Sequence, residues 1–287
     1  MRPPFLLLTV VCCLLVFGLA SETSLEINPW RMAAVFFAAL FAHISVNMLN
    51  EYQDFTSGLD LQTEKTPFSG GSGALPAYPD ASGWVLKIAL AALCVTCGLG
   101  FYLLLDQGWE LLFPGILGVF IIVAYTGWIN RSPWFCLVAP GTGFGLLMVA
   151  GGYYALVGGS DSLVILIALV PFFLVNNLLL LNQYPDIDAD RQAGRNHFPI
   201  RYGVAASNRV YLVFLLAAFA IIIGLILSHQ LPVLAWIAVL PLALGLLAYS
   251  GALKQGERIG SYPHYLAANV GVTLLTPLLL SLSLFFS

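Results

Sequence analysis

Long apolar runs alternate with short polar connections along the whole chain. Nine runs stand out, at about 5–21, 30–50, 84–105, 111–129, 133–157, 162–182, 208–228, 231–249 and 264–285. Most approach the roughly 20 residues that carry an α-helix across a bilayer. Lipid offers no partner to an open backbone group, so runs of this kind fold as helices. Two connections are long, 51–83 and 183–207, and most of the others are a few residues. Pro171, Pro241 and Pro277 fall inside runs and predict kinks. The expected fold is all-α: a polytopic membrane protein forming a single domain over 1–287, with nine transmembrane helices.

Composition agrees. The chain is 60% hydrophobic and 9% charged, against about a quarter charged in a soluble protein. The net charge of −3 is small and by itself says nothing about nucleic acid; there is no basic tail, and neither a nucleic-acid nor a protein partner is expected. The first run could pass for a signal peptide, but the topology needs it as a span. The five cysteines lie in apolar runs, where packing explains them.

Lysine and arginine set the orientation. With a cytoplasmic N-terminus and nine spans, Arg2, Lys65, Lys87, Arg131, Arg191, Arg195, Arg201, Arg209, Lys254 and Arg258 face the cytoplasm, and only Arg31 lies outside. The outside connections hold Glu22, Glu26, Asp106, Glu110 and Asp161. This asymmetry follows the positive-inside rule. Both long loops are then cytoplasmic.

Each long loop begins with one pattern, N-x-Y-x-D. The first reads Asn50-Glu51-Tyr52-Gln53-Asp54, with Gly58 and Asp60 after it. The second reads Asn182-Gln183-Tyr184-Pro185-Asp186, with Asp188 and Asp190 after it. The motifs follow spans 2 and 6, which suggests two parallel four-helix halves plus one helix around a central cavity. On a helix Asn182, Asp186 and Asp190 share a face, as do Asn50 and Asp54. Asp188 is turned roughly 200° from Asp186. Pro185 predicts a kink or break. Gly58 lets Asp60 fold back toward Asp54.

Crowded carboxylates need a cation, and hard oxygen ligands suit magnesium, which keeps waters and usually takes phosphate as well. The candidate metal residues are Asn50, Glu51, Asp54, Asp60, Asn182, Asp186 and Asp190, with Asp54, Asp186 and Asp190 the catalytic set. A diphosphate is the simplest substrate group, and Lys65, Arg131 and Arg195 are placed to take its charge. Arg209, Lys254 and Arg258 read as ordinary positive-inside residues. The glycine-rich stretch Thr66–Gly73 lacks a P-loop ending and reads as a lid over the motif. His43 and His197 read as structural. Intramembrane carboxylates also build ion-coupled secondary transporters, which is the alternative class.

These motifs resemble those of the UbiA superfamily of intramembrane prenyltransferases, whose two aspartate-rich motifs end helices 2 and 6 of a nine-helix fold. Arg2-Pro3, Tyr125 and Phe198–Gly203 are similar too. Glu51 stands where that family usually has aspartate, Gln183 where an acid is common, and Arg131 is displaced from the expected basic position after Tyr125. The resemblance implies Mg2+-assisted ionisation of a polyprenyl diphosphate, with Tyr125 at the diphosphate, and attack by an aromatic acceptor on the allylic cation. The form of the first motif is most similar to the branch acting on 1,4-dihydroxy-2-naphthoate in menaquinone synthesis. Acceptors such as 4-hydroxybenzoate or homogentisate are the alternatives. The implied location is the bacterial inner membrane, with the active site toward the cytoplasm.

Overall fold

The computed structural model describes residues 3–23, 26–61, 68 and 70–287. Among these, every regular element is helical. The principal helices are α1 (Leu7–Ser21), α2 (Pro29–Thr56), α3 (Ser82–Gln107), α4 (Leu112–Ala124), α5 (Pro133–Val157), α6 (Ser162–Asn182), α7 (Phe198–Leu227), α8 (Leu242–Gln255) and α9 (Pro263–Phe285). Among the described residues eight helical stretches are long and apolar enough to cross a membrane, and Trp109–Ala124 is apolar but shorter.

The boundaries differ from the apolar runs in ways that matter for the site. α2 continues past its run to Thr56, so Asn50, Glu51 and Asp54 ride on the helix itself. Asn28 caps its start, accepting from Trp30 N, and Gly58 ends it with φ 78°. α4 ends at Ala124, short of the expected 129, and the chain turns through Tyr125–Trp128. α7 starts ten residues early at Phe198, where Pro199 fits the first turn of a helix. Gly203 then breaks it at φ 79°. Pro171 and Pro277 lie inside α6 and α9, while Pro241 separates a 3-10 stretch, Val233–Val239, from α8.

Each motif helix packs along the next one: α2 on α3, and α6 on α7. α1 packs against α9 and joins the two halves. The core centres on α6, where Ile167, Leu174 and Leu181 are fully buried. Lipid tails are as apolar as leucine, so polar contacts and close packing must hold such helices together. Asn177 Nδ2 donates to Tyr211 O at 2.8 Å, Asn269 Nδ2 to Asn177 O at 3.2 Å, and Tyr211 Oη to Asn269 Oδ1 at 2.9 Å. That triangle ties α6, α7 and α9 with bonds worth about 0.6 kcal/mol each in membranes.

α5 and α6 approach each other closely. Pro140 cannot donate a backbone hydrogen bond, and residues Thr142–Ala150 adopt a π-helical turn that the sequence pattern did not reveal. Gly141 N donates to Asn176 Oδ1 at 2.6 Å. A Cβ on Gly145 would lie 2.5 Å from Ala168 O. Only glycine lets these backbones meet. Gly145→Val should therefore lose folded, monodisperse protein in detergent. Gly98→Ala, with open space around the added carbon, should melt like the parent. A Gly145→Val protein of parental melting temperature would show that the approach is not required.

Candidate active site

The two motifs meet at one end of the bundle, above a chamber of about 1380 Å³. Its walls are mostly apolar and come chiefly from α2, α3, α4 and α5, with smaller shares from α1, α6 and α9. Polar groups gather at the motif end, where Asn50, Glu51, Asp54, Asn182, Asp186, Asp190 and Arg195 all line it. The opposite end of the bundle holds Arg31 paired with Asp106, and Ser287 bonded to Glu22 at 3.0 Å. That separation matches the charge asymmetry of the sequence.

The first motif is a helical face, as its spacing predicted. Asn50 Oδ1 accepts from Thr126 Oγ1 at 2.8 Å, which ties α2 to the turn after α4. Glu51 and Asp54 are buried. Glu51 accepts from Ser72 Oγ, and Asp54 is paired with Arg195. Asp60 is also buried, but it lies under Gly71 and is not among the described residues lining the chamber.

The second motif departs from the expected continuous face. α6 stops at Asn182, residues 183–186 turn, and a new short helix runs Ile187–Gln192. The break falls at Pro185, where the missing N–H predicted it. Tyr184 is fully buried and donates to Asn208 Oδ1 at 2.8 Å, and burial pushes its hydroxyl pKa up. Asp186 Oδ2 accepts from Gly70 N at 3.1 Å. Asp190 turns inward to Arg195 and His197. Asp188 points outward, with its side chain 76% exposed and bonded to Arg191.

Arg195 joins the motifs. It pairs with Asp54 of the first and, at 2.8 Å, with Asp190 of the second. Burial opposes its charge, but the carboxylates of Asp54 and Asp190 more than offset this and hold its pKa above that of ordinary arginine. Tyr125 lines the chamber, and its hydroxyl meets Cys136, which also accepts from Gln183 Nε2 at 3.4 Å. Arg131 is exposed and lines a smaller pocket of about 300 Å³ on the other side of Asp54 and Arg195. Lys65 and Pro67 lie outside the described residues.

Several participants had no clear sequence signal. Phe68 and Gly71 of the glycine-rich stretch line the chamber, and Gly70 and Ser72 bond to carboxylates of different motifs. Gly70, Gly71 and Gly73 all take positive φ, which suits glycine. Phe68 and residues 70–73, the described residues of that stretch, thus lie by the chamber mouth and the two motifs. Thr126 and His197 could have been suspected only from their neighbours Tyr125 and Arg195. His43 lies eleven residues before Asp54 on α2, so about 16 Å deeper. Its Nδ1 is 2.7 Å from Thr9 Oγ1.

Among the described residues no group of three His, Cys, Asp or Glu stands ready to hold a metal. The donor set nevertheless suits magnesium. Asn182 Oδ1 is buried with no hydrogen-bond partner and belongs to a residue lining the chamber beside Asp186. An orphaned carbonyl oxygen near carboxylates is a ligand for a hard cation that brings its own waters.

Comparison with known proteins places this arrangement. Two curated proteins, the 1,4-dihydroxy-2-naphthoate octaprenyltransferases of Bacillus subtilis and Haemophilus influenzae, are 27% and 28% identical over 198 residues, 68% of this chain. The matched region spans 62% and 64% of those relatives, less than two thirds of their length. The fold is that of the apo structure of a UbiA homolog from Aeropyrum pernix K1, with TM-score 0.73 and 16% identity over 100% of this chain and 98% of that one. A UbiA homolog from Archaeoglobus fulgidus bound to DMAPP and Mg2+ gives TM-score 0.63 and 12% identity over 95% and 96% of the two chains. Residues 9–267 match the family model described as the UbiA prenyltransferase family. With that match over most of its length and the paired motifs at one mouth of an all-helical membrane fold, the chain belongs to the UbiA prenyltransferase family.

Proposed function

We propose that this protein transfers a prenyl group from a polyprenyl diphosphate to an aromatic acceptor, 1,4-dihydroxy-2-naphthoate, as in menaquinone synthesis. The observation that carries the reading is the amphiphilic chamber: an apolar cavity of about 1380 Å³ capped at one end by two acidic motifs and Arg195. A prenyl diphosphate has the same division into a greasy tail and a charged head. The names of the two curated relatives support the naphthoate acceptor. The carboxylates stand at helix ends, which favours the enzyme over an ion-coupled carrier.

The allylic C1–O bond breaks, and the diphosphate leaves with the electron pair. Arg195 is positioned to take part of that charge at the chamber mouth. Asn50, Glu51, Asp54, Asn182 and Asp186 would hold Mg2+, which when bound supplies the remaining charge neutralisation. Phe68 and Tyr125 line the chamber, and aromatic rings there can stabilise the allylic cation. An electron-rich ring carbon of the acceptor then bonds to C1. The ring regains aromaticity by losing the proton or carboxyl group at that carbon. The active site faces the cytoplasm of a bacterial inner membrane, since the basic residues gather at the motif end.

The purified protein, given Mg2+ and labelled octaprenyl diphosphate, should prenylate 1,4-dihydroxy-2-naphthoate in preference to 4-hydroxybenzoate or homogentisate, and EDTA should stop it. No product with any acceptor would remove the transferase reading. Asp54→Asn and Asp186→Asn should each lower kcat at saturating Mg2+ by about a hundredfold or more. Asp188→Asn, which changes an outward-facing side chain, should stay within about twofold. Near-parental Asp54→Asn and Asp186→Asn enzymes would rule the paired-motif mechanism out. Phe68→Ala opens the chamber beneath the glycine-rich stretch. It should raise the ratio of free prenyl alcohol to transfer product, because water then reaches the cation; an unchanged ratio would reduce that stretch to a linker. Reporter fusions after Arg131 and Lys254 should report the cytoplasm, and one after Asp161 the far side. All three on one side would overturn the topology.

A further inference from the structure

The second motif ends in a buried relay that the sequence pattern treats as one more metal ligand. Asp190 is 3% exposed. Its two carboxylate oxygens are both engaged: Oδ1 by Arg195 Nη1 at 2.8 Å and Oδ2 by His197 Nε2 at 2.8 Å. In Asp54, by contrast, Arg195 engages Oδ1 alone. His197 is 1% exposed and stands at the N-cap of α7, with Pro199 in the first turn behind it. The imidazole is therefore held at the start of the short helical stretch 198–202, ahead of the break at Gly203. Its Nδ1 is buried with no hydrogen-bond partner. A proton on Nε2 and none on Nδ1 leaves no buried N–H without an acceptor, and in that tautomer Nε2–H donates to Asp190. The backbone holds the same arrangement: Arg195 N donates to Asp190 O at 3.0 Å, and Asn196 N to Asn130 O at 3.0 Å.

We propose that His197 is a positioning residue and that Asp190 anchors Arg195 instead of binding metal. His197 fixes the Asp190 carboxylate. Asp190 fixes the Arg195 guanidinium. Arg195 is thereby held at the chamber mouth, aimed at Asp54 and at the diphosphate that enters beside it. The inference rests on the diphosphate reading of the site and adds the residue that orients its cation. It also separates the acids of the second motif: Asp186 faces the metal and Asp190 faces the arginine.

Two measurements test this on the full-length protein in detergent. The first is equilibrium binding of Mn2+ alone, followed by electron paramagnetic resonance, which needs no turnover. Asp190→Asn should bind Mn2+ within about twofold of the parent, and Asp186→Asn at least about tenfold more weakly. The second is steady-state kinetics. His197→Phe keeps ring bulk but donates nothing. It should raise KM for the prenyl diphosphate about tenfold while KM for the acceptor stays unchanged, in line with the loss of one hydrogen bond to a charged group. His197→Gln restores an N–H and should recover most of the loss. A merely structural histidine would move both KM values together. The proposal is overturned if Asp190→Asn loses as much Mn2+ affinity as Asp186→Asn, or if His197→Phe leaves the diphosphate KM at the parental value. Should His197→Phe fail to fold, the near-isosteric Asp190→Asn carries the kinetic arm as well, with the same expected split. If the parent turns over no prenyl diphosphate, the proposed function fails, and the Mn2+ comparison still decides what Asp190 does.

Discussion

A carboxylate beside an apolar chamber must have a cation or several N–H donors within reach, or it will not stay charged. This requirement organises the whole motif end. Arg195 answers it for Asp54 and Asp190 together, and so pins a residue of α2 to a residue beyond α6. The glycine-rich stretch contributes to it for Glu51 through Ser72 Oγ and for Asp186 through Gly70 N. Charge compensation thus does the work that apolar burial does in a soluble core. It draws two halves of the chain and one loop to a common point. The deeper triangle of Asn177, Tyr211 and Asn269 applies the same rule without charge.

Much of this was legible in the sequence because the bilayer imposes a length and a hydropathy that are hard to disguise. The runs predicted the helices, and the lysine and arginine count predicted which ends belong together. The i, i+4 step of Asn50 and Asp54 survived intact, since α2 simply runs on through the motif. What the sequence hid came from tertiary contact. Nothing local shows that Gly141 and Gly145 lie against the backbone of α6, or that the turns around them are π-helical. The apolar run 111–129 overstated α4 because Ile129 is apolar for a different reason: it is buried in a 3-10 turn. The contacts of Gly70 and Ser72 depend on a loop closing over carboxylates more than a hundred residues apart in sequence.

The two motifs also show how one pattern of letters can serve two geometries. In the first, Tyr52 sits half-buried on a continuous helix. In the second, Tyr184 is fully buried against Asn208 and anchors a turn onto α7. Gln53 and Pro185 make the difference, since only proline removes the donor that a continuing helix needs. The repeat is therefore one of position and chemistry more than of local shape. Its result is asymmetric: a rigid helical face meets a bent segment whose acids point in three directions.

The short α4 has a mechanical consequence for the surrounding bilayer. With the 3-10 turn Trp109–Leu111 before it, the helical stretch Trp109–Ala124 rises only about 25 Å, against roughly 30 Å of hydrocarbon. Trp109 and Trp128 flank α4, both well exposed, and indole rings settle at the headgroup level. Lipids beside this flank must thin or tilt to meet them, at a fraction of a kcal/mol for each ångström of mismatch. The depression lies along the side where α4 forms the chamber wall. An amphiphile travelling in the leaflet there carries its headgroup closer to the midplane than it would elsewhere on the protein's perimeter.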